Sequence, residues 1–121
     1  MRNFQIRSRL VNGIAVIQPR GHLDAHNVSR FEKEILKFIR EGMYRIIING
    51  SELEYITSAG MGVIMGYIDE VREKSGDIKL SNLNERVFET FELVGFTEIY
   101  EFHDNEEQAL ANFKKNEPIS S

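Results

Sequence analysis

Three consecutive isoleucines, Ile46-Ile47-Ile48, constrain this chain more than any other feature. Successive side chains of a strand point to opposite faces, so an unbroken apolar strand needs cover on both sides. Such a strand belongs in the middle of a sheet with helices packed against it. We therefore read Tyr44 to Ile48 as the central strand of an α/β domain. The 121 residues suit one domain with a real core.

The remaining pattern fits that frame. Phe4 and Ile6, then Leu10-Val11, predict a first strand, and Asn12-Gly13 is a tight-turn signal. Ile14 to Gln18 reads as a second strand, antiparallel to the first and ended by Pro19, with a loop over Gly21-His22-Leu23-Asp24. A helix is predicted from about Asn27, a good cap, to Gly42, with Val28, Phe31, Ile35 and Phe38 on one face. Residues 49–55 read as a connection, and a second helix runs from near Ser58 to about Lys74. A short strand follows at Ile78 to Leu80. Asn84 is placed as the cap of a third helix closed by Gly95, and Ile99 to Phe102 as the last strand. Asp104-Asn105-Glu106-Glu107 resembles a capping box opening a final helix with Leu110 and Phe113. The expectation is one α/β domain over residues 1–113, with a solvated tail over 114–121. Its sheet is mixed and mostly parallel, with an antiparallel N-terminal edge strand and about four helices.

Composition narrows the function classes. The net charge is -4, with Lys and Arg scattered, so the footprint of a nucleic-acid binder is missing and attachment to an anionic membrane is disfavoured. There are no cysteines, which removes disulfides, thiolate zinc sites and cysteine nucleophiles together. The N-terminus lacks the apolar core of a signal peptide, and no stretch approaches the roughly 18 apolar residues of a membrane span. We expect a cytoplasmic protein with no cofactor, no metal and no membrane contact.

Two loops qualify as functional by composition: Gly21 to Asn27, and Glu54 to Gly60 before the second helix. In or near the first turns of the helix that follows the second loop, Gly60, Gly62 and Gly66 each cost about 1 kcal/mol against alanine. Close helix–sheet packing is the plain explanation for Gly62 and Gly66, four apart on one face. Gly60 follows two hydroxyl residues, where bare backbone allows a partner or a phosphate to approach. Ser58 reads either as a helix cap or as a phosphoacceptor. A helix N-terminus favours anions, so a phosphate there need not unfold anything. Thr57 reads as a helix-entry residue or as part of the site. Asp24 reads as an ordinary loop residue or cap, unless it belongs to the same surface.

Taken together these motifs resemble the STAS domain family and, within it, the anti-sigma factor antagonists. Gly21-His22-Leu23-Asp24 resembles the family's Gly-x-Leu/Ile-Asp element. Tyr55-Ile56-Thr57-Ser58-Ala59-Gly60-Met61-Gly62 resembles its signature, in which an aspartate and a phosphorylatable serine precede Ser/Thr/Ala-Gly-Leu-Gly. Leu80-Ser81-Asn82-Leu83 and Phe91-Glu92-Leu93-Val94-Gly95-Phe96 resemble later family elements. The match spans roughly Phe4 to Phe113. Here the family's aspartate is replaced by Thr57, which keeps a hydrogen-bonding oxygen and loses the charge.

The resemblance implies a non-enzyme that binds an anti-sigma factor, often itself a serine-protein kinase, and frees a sigma factor. Phosphorylation would fall on Ser58, with Thr57 the lesser candidate, and a PP2C-type phosphatase would reset the switch. The partner surface would take in Asp24, Thr57, Ser58, Gly60, Met61 and His22, with Met61 partly exposed. The antagonist itself would be a monomer or weak dimer. Thr57 leaves a second outcome open, a non-switching STAS subunit of a signalling scaffold or transport complex. A serine hydrolase fits poorly. Ile56 stands where a nucleophile elbow needs glycine, and His22, His26 and His103 read as solvated loop residues. Gly60 to Gly66 lacks the lysine of a P-loop. His22 and His26, four apart, read as a chance spacing in a loop rather than a metal pair.

Overall fold

The computed structural model describes residues 4–115. In chain order its elements are β1 (Gln5–Val11), β2 (Ile14–Leu23), α1 (Val28–Arg40), β3 (Arg45–Asn49), β4 (Leu53–Ile56) and α2 (Ser58–Glu73). They continue with β5 (Asp77–Ser81), α3 (Glu85–Leu93), a 3-10 turn at Phe96–Glu98, β6 (Phe102–His103) and α4 (Glu106–Lys115). The sheet order is β1-β2-β3-β5-β6, with β4 also paired to β2. Only β1 is antiparallel to its neighbour. The expected α/β class, mixed sheet and four helices are all present.

The isoleucine run sorts itself as its period demands. Ile46 and Ile48 join Ala15, Ile17, Ile78 and Leu80 in the larger core, facing Phe31 and Ile35 of α1, Ile64 and Ile68 of α2, and Phe91 of α3. Ile47 turns the other way, into a smaller core with Ile14, Val16, and Ala109 and Phe113 of α4. Three helices cover one face and one covers the other.

Several elements depart from the sequence reading. Pro19 does not end β2, which continues to Leu23. β2 pairs with β3 through Ala15–Ile17 and with β4 through Gly21–Leu23. The missing proline N–H falls between them, where one parallel neighbour gives way to the next. Gly21 then takes φ +98 beside a register shift, a backbone that suits glycine. The supposed connection over residues 49–55 contains the short strand β4. The last strand lies at Phe102–His103 rather than at Ile99 to Phe102, because residues 96–98 coil into a 3-10 turn. Lys114 and Lys115, expected in the tail, belong to α4, and the rest of that expected tail, 116–121, lies outside the described residues.

A lysine stands where the strand pattern asks for an apolar residue. Lys79, only 2% exposed, sits on the α4 face of β5. Its ammonium donates to Glu101 Oε2 at 2.6 Å and Asn112 Oδ1 at 2.7 Å, and lies 4.6 Å from the centroid of the Phe113 ring. A buried charge so paired escapes the cost of an isolated one.

The start of α4 is tied down through Glu106, which accepts hydrogen bonds from Arg9 on β1 and, at 2.9 Å, from Asn49 Nδ2 on β3. Burial pushes its pKa up, but the Arg9 and Asn49 donors and the Arg9 charge outweigh that and hold it below the usual 4.5. A carboxylate whose folded pKa is depressed contributes stability above its unfolded pKa and loses it as pH falls through the folded value. Glu106→Gln should therefore lower stability at neutral pH and shrink the further loss seen below about pH 5. Urea unfolding at neutral and acid pH measures both. Glu34 and Glu101, also held low, keep part of the acid sensitivity in the variant.

Candidate functional site

The two loops singled out by composition meet at one end of the sheet. Leu23 of β2 pairs with Ile56 of β4. One residue further, the Thr57 N–H donates to the Leu23 carbonyl at 3.0 Å, and the Thr57 hydroxyl donates to the same oxygen at 3.4 Å. The register therefore sets Asp24 beside the entry to α2.

The Asp24 turn is braced from within. Asn27 Nδ2 donates to the His22 carbonyl at 2.8 Å, and Asn27 Oδ1 accepts from the Asp24 N–H at 3.0 Å. Asp24 Oδ1 accepts from the His26 N–H at 2.9 Å. Asn27 does occupy the cap position of α1, but it makes no side-chain cap bond. Its amide is spent on the loop instead.

At the start of α2 the cap explanation for Ser58 falls away. Thr57 holds the cap position, with extended backbone and no side-chain cap bond. Ser58 is the first helical residue, exposed, and its hydroxyl hydrogen-bonds nothing among the described residues. The first N–H groups of α2 thus lack a side-chain acceptor, which is the setting that favours an added anion.

The glycines exchange the roles that spacing suggested. A Cβ on Gly60 would fall 2.8 Å from Leu23 Cγ and 2.9 Å from Ile56 Cγ1, so Gly60 lets α2 sit on the ends of β2 and β4. It is buried rather than open to a partner. Gly62 and Gly66, expected to pack on the sheet, are exposed, with nothing within 4 Å of a Cβ built on either. Ser58, Gly62 and Gly66, each four apart, line one solvent-facing stripe of α2. Met61, expected to be partly exposed, is 3% exposed and belongs to the main core.

His22 lies on the flank of the site. Its side chain is 40% exposed and stands 4.0 Å from Glu54. Its ring lies 5.9 Å from that of Tyr55, and the guanidinium of Arg86 covers Tyr55 at 4.9 Å. Neither Tyr55 nor Arg86 was singled out from the sequence. Arg86 arrives from α3, some thirty residues on, because Asn84 caps α3 and also donates to the Leu53 carbonyl at 3.0 Å.

Among the described residues no imidazole hydrogen-bonds Ser58, and His103 lies on β6, 3.3 Å from Glu101. The described residues hold no cluster of three or more metal-ligating His, Asp or Glu side chains. Nor is any of their helices long and apolar enough to cross a membrane. The chemistry on display is that of an exposed hydroxyl at an uncapped helix start, beside a rigid acidic turn.

Known proteins are similar to this chain in sequence and in fold. The BtrV protein of Bordetella bronchiseptica is 29% identical over 104 residues, covering 86% of this chain and 90% of its own. The anti-sigma F factor antagonist of Paenibacillus polymyxa is 26% identical over 113 residues, covering 93% and 97%. The anti-sigma factor antagonist SpoIIAA in its unphosphorylated form superposes with a TM-score of 0.77 at 25% identity, covering 96% of this chain and 100% of that one. Phosphorylated SpoIIAA of Bacillus gives 0.67 at 26% identity, covering 91% and 98%. A sequence model of the STAS domain matches residues 5–109, and the chain belongs to that family.

Proposed function

We propose that this protein is an anti-sigma factor antagonist, switched by phosphorylation of Ser58. It binds an anti-sigma factor through the Asp24 turn and the exposed stripe of α2, and so releases a sigma factor. The observation that carries the reading is the Ser58 hydroxyl itself, exposed, unbonded and placed at an uncapped helix start. Relatives named as anti-sigma factor antagonists, one of them solved in a phosphorylated and an unphosphorylated form, supply the partner class.

The protein is the substrate in this scheme, and the catalyst is its partner. A serine kinase transfers the γ-phosphoryl of ATP to Ser58 Oγ. The new O–P bond replaces the one to ADP, and the hydroxyl proton leaves. The phosphate adds close to two negative charges. Free N–H groups at the start of α2 accommodate it within the fold, whereas a closed interface would bury it unpaired. A PP2C-type phosphatase restores the hydroxyl. Thr57, at the position of the family's aspartate, keeps its hydroxyl on the Leu23 carbonyl, so it braces the loop and is the lesser phosphoacceptor.

Exposed glycines suit the same surface. Gly62 and Gly66 cost α2 about 1 kcal/mol each against alanine and gain no packing among the described residues. Bare backbone there lets a partner come close to the helix beside Ser58. Gly60 and Met61 act from beneath, by seating α2.

Ser58→Asp should weaken binding to the anti-sigma factor at least tenfold, and Ser58→Ala should preserve affinity while abolishing phosphate incorporation. Calorimetry and a kinase assay with the purified partner measure these. Equal affinities for the two variants would leave the non-switching STAS subunit, the reading that Thr57 keeps in play. Gly62→Ala should stabilise the free protein by about 1 kcal/mol in urea unfolding. Gly60→Ala should destabilise it by about 1–3 kcal/mol, since its methyl group meets Leu23 and Ile56. Gly62→Trp should fold normally and lose the partner.

A further inference from the structure

We infer that Arg86, held over the ring of Tyr55, is a docking arm that receives a carboxylate of the anti-sigma partner at the α3 edge of the Ser58 surface. The inference rests on the antagonist reading and extends it to residues on a third element.

Other arginines of this chain spend their donors on an acceptor: Arg30, which also lies over a ring, that of Phe4, donates to the Phe4 carbonyl at 3.1 Å. Arg7 and Arg20 meet Glu52, Arg9 meets Glu106, and Arg72 meets Asp77. Arg86 is exposed and meets no carboxylate among the described residues. Its one side-chain partner there is the face of Tyr55, 4.9 Å from the guanidinium carbon to the ring centroid. That contact gives the guanidinium no oxygen acceptor, so its N–H donors are not spent on a carboxylate or carbonyl. Those donors suit a planar, two-oxygen acceptor, which a side-chain carboxylate supplies.

The arm is also held in place. Asn84 Oδ1 accepts from the Val87 N–H at 2.7 Å, and Asn84 Nδ2 donates to the Leu53 carbonyl at 3.0 Å. One side chain thus caps α3 and pins its first turn to β4. Arg86 leaves α3 two residues after that cap, and Tyr55 lies two residues along β4 from Leu53. The His22 ring also flanks Tyr55, 5.9 Å away. A rigid tyrosine–arginine pair is the kind of group that concentrates binding energy at interfaces, because little side-chain freedom remains to be lost.

Distance favours a shared surface. Tyr55 precedes Ser58 by three residues, about 10 Å of extended chain. A standard interface covers about 800 Å² on each partner, a disc of about 16 Å radius. A partner centred on Ser58 therefore reaches Arg86 without enlarging its footprint. The carboxylates near Arg86 in sequence, Glu85 and Glu89, do not pair with it, and they disfavour a second acid unless the guanidinium takes it directly.

The test is the affinity of full-length variants for the purified anti-sigma partner, with thermal unfolding as the folding control. Arg86→Ala should bind at least about tenfold more weakly, Arg86→Glu more weakly still, and Arg86→Lys in between, since an ammonium lacks the paired edge. Tyr55→Phe, which keeps the ring, should bind as the wild type does. The penalty of Arg86→Glu should be relieved by reversing one acidic residue of the partner to lysine. Wild-type affinity in both Arg86→Ala and Arg86→Glu would overturn the inference while leaving the antagonist reading intact. Failure of any partner reversal to relieve Arg86→Glu would overturn the carboxylate assignment. A wild-type protein that does not bind the anti-sigma factor would overturn the antagonist reading, and this inference with it.

Discussion

The site depends on one strand changing neighbours. β2 is ten residues long, and no single partner spans it on its parallel side. Its first half pairs with β3, and its last three residues pair with β4. Between them lie Pro19, which has no hydrogen to give, and Gly21, whose positive φ takes up the register shift. Without that exchange β4 would have no edge to join. The Leu23 carbonyl would not meet the Thr57 N–H, and the Asp24 turn would not lie beside the start of α2.

Rigidity at this point matters for the proposed switch. Asn27 braces one loop and Thr57 the other, while Gly60 brings α2 down on Leu23 and Ile56. A phosphate added to such a surface can act by charge and desolvation, with no rearrangement of the domain. The buried centre does not have to respond. Lys79, fully paired beneath α4, belongs to the other face of the sheet and stabilises the seating of that helix.

Regular elements were largely legible in the sequence, because each follows from local chemistry. Ile46-Ile47-Ile48 announced a strand covered on both sides, and Asn12-Gly13 turned the first hairpin with φ of +51 and +80. Gly42 and Gly95 closed their helices from positive φ, and Asn84 capped α3 as read. What escaped depended on pairing between distant segments. β4 has four residues and no alternation, so only its pairing with β2 makes it a strand. Pro19 ends most strands and is tolerated here by what lies beside it. Asn27 looked like a cap, and its side chain went to the loop. At the site, the Leu23–Ile56 pair and the bond from the Thr57 N–H to the Leu23 carbonyl bring together the two loops that composition had singled out. The glycines were misassigned, because spacing along a helix gives a face without saying which face is inward. Arg86 left no local signal at all, since its position depends on Asn84 reaching Leu53.

Thr57 has a further consequence for how sharply such a surface can report its state. With threonine there, Asp24 is the one acidic side chain among residues 23–27 and 56–60, so those two segments carry a single negative charge. A phosphate on Ser58 would raise it to about three, a threefold change. An aspartate at position 57 would begin those segments at two and raise them to about four, a twofold change with the same phosphate. Losing the family's acid thus lowers the background against which a modification is read, and trades total charge for contrast.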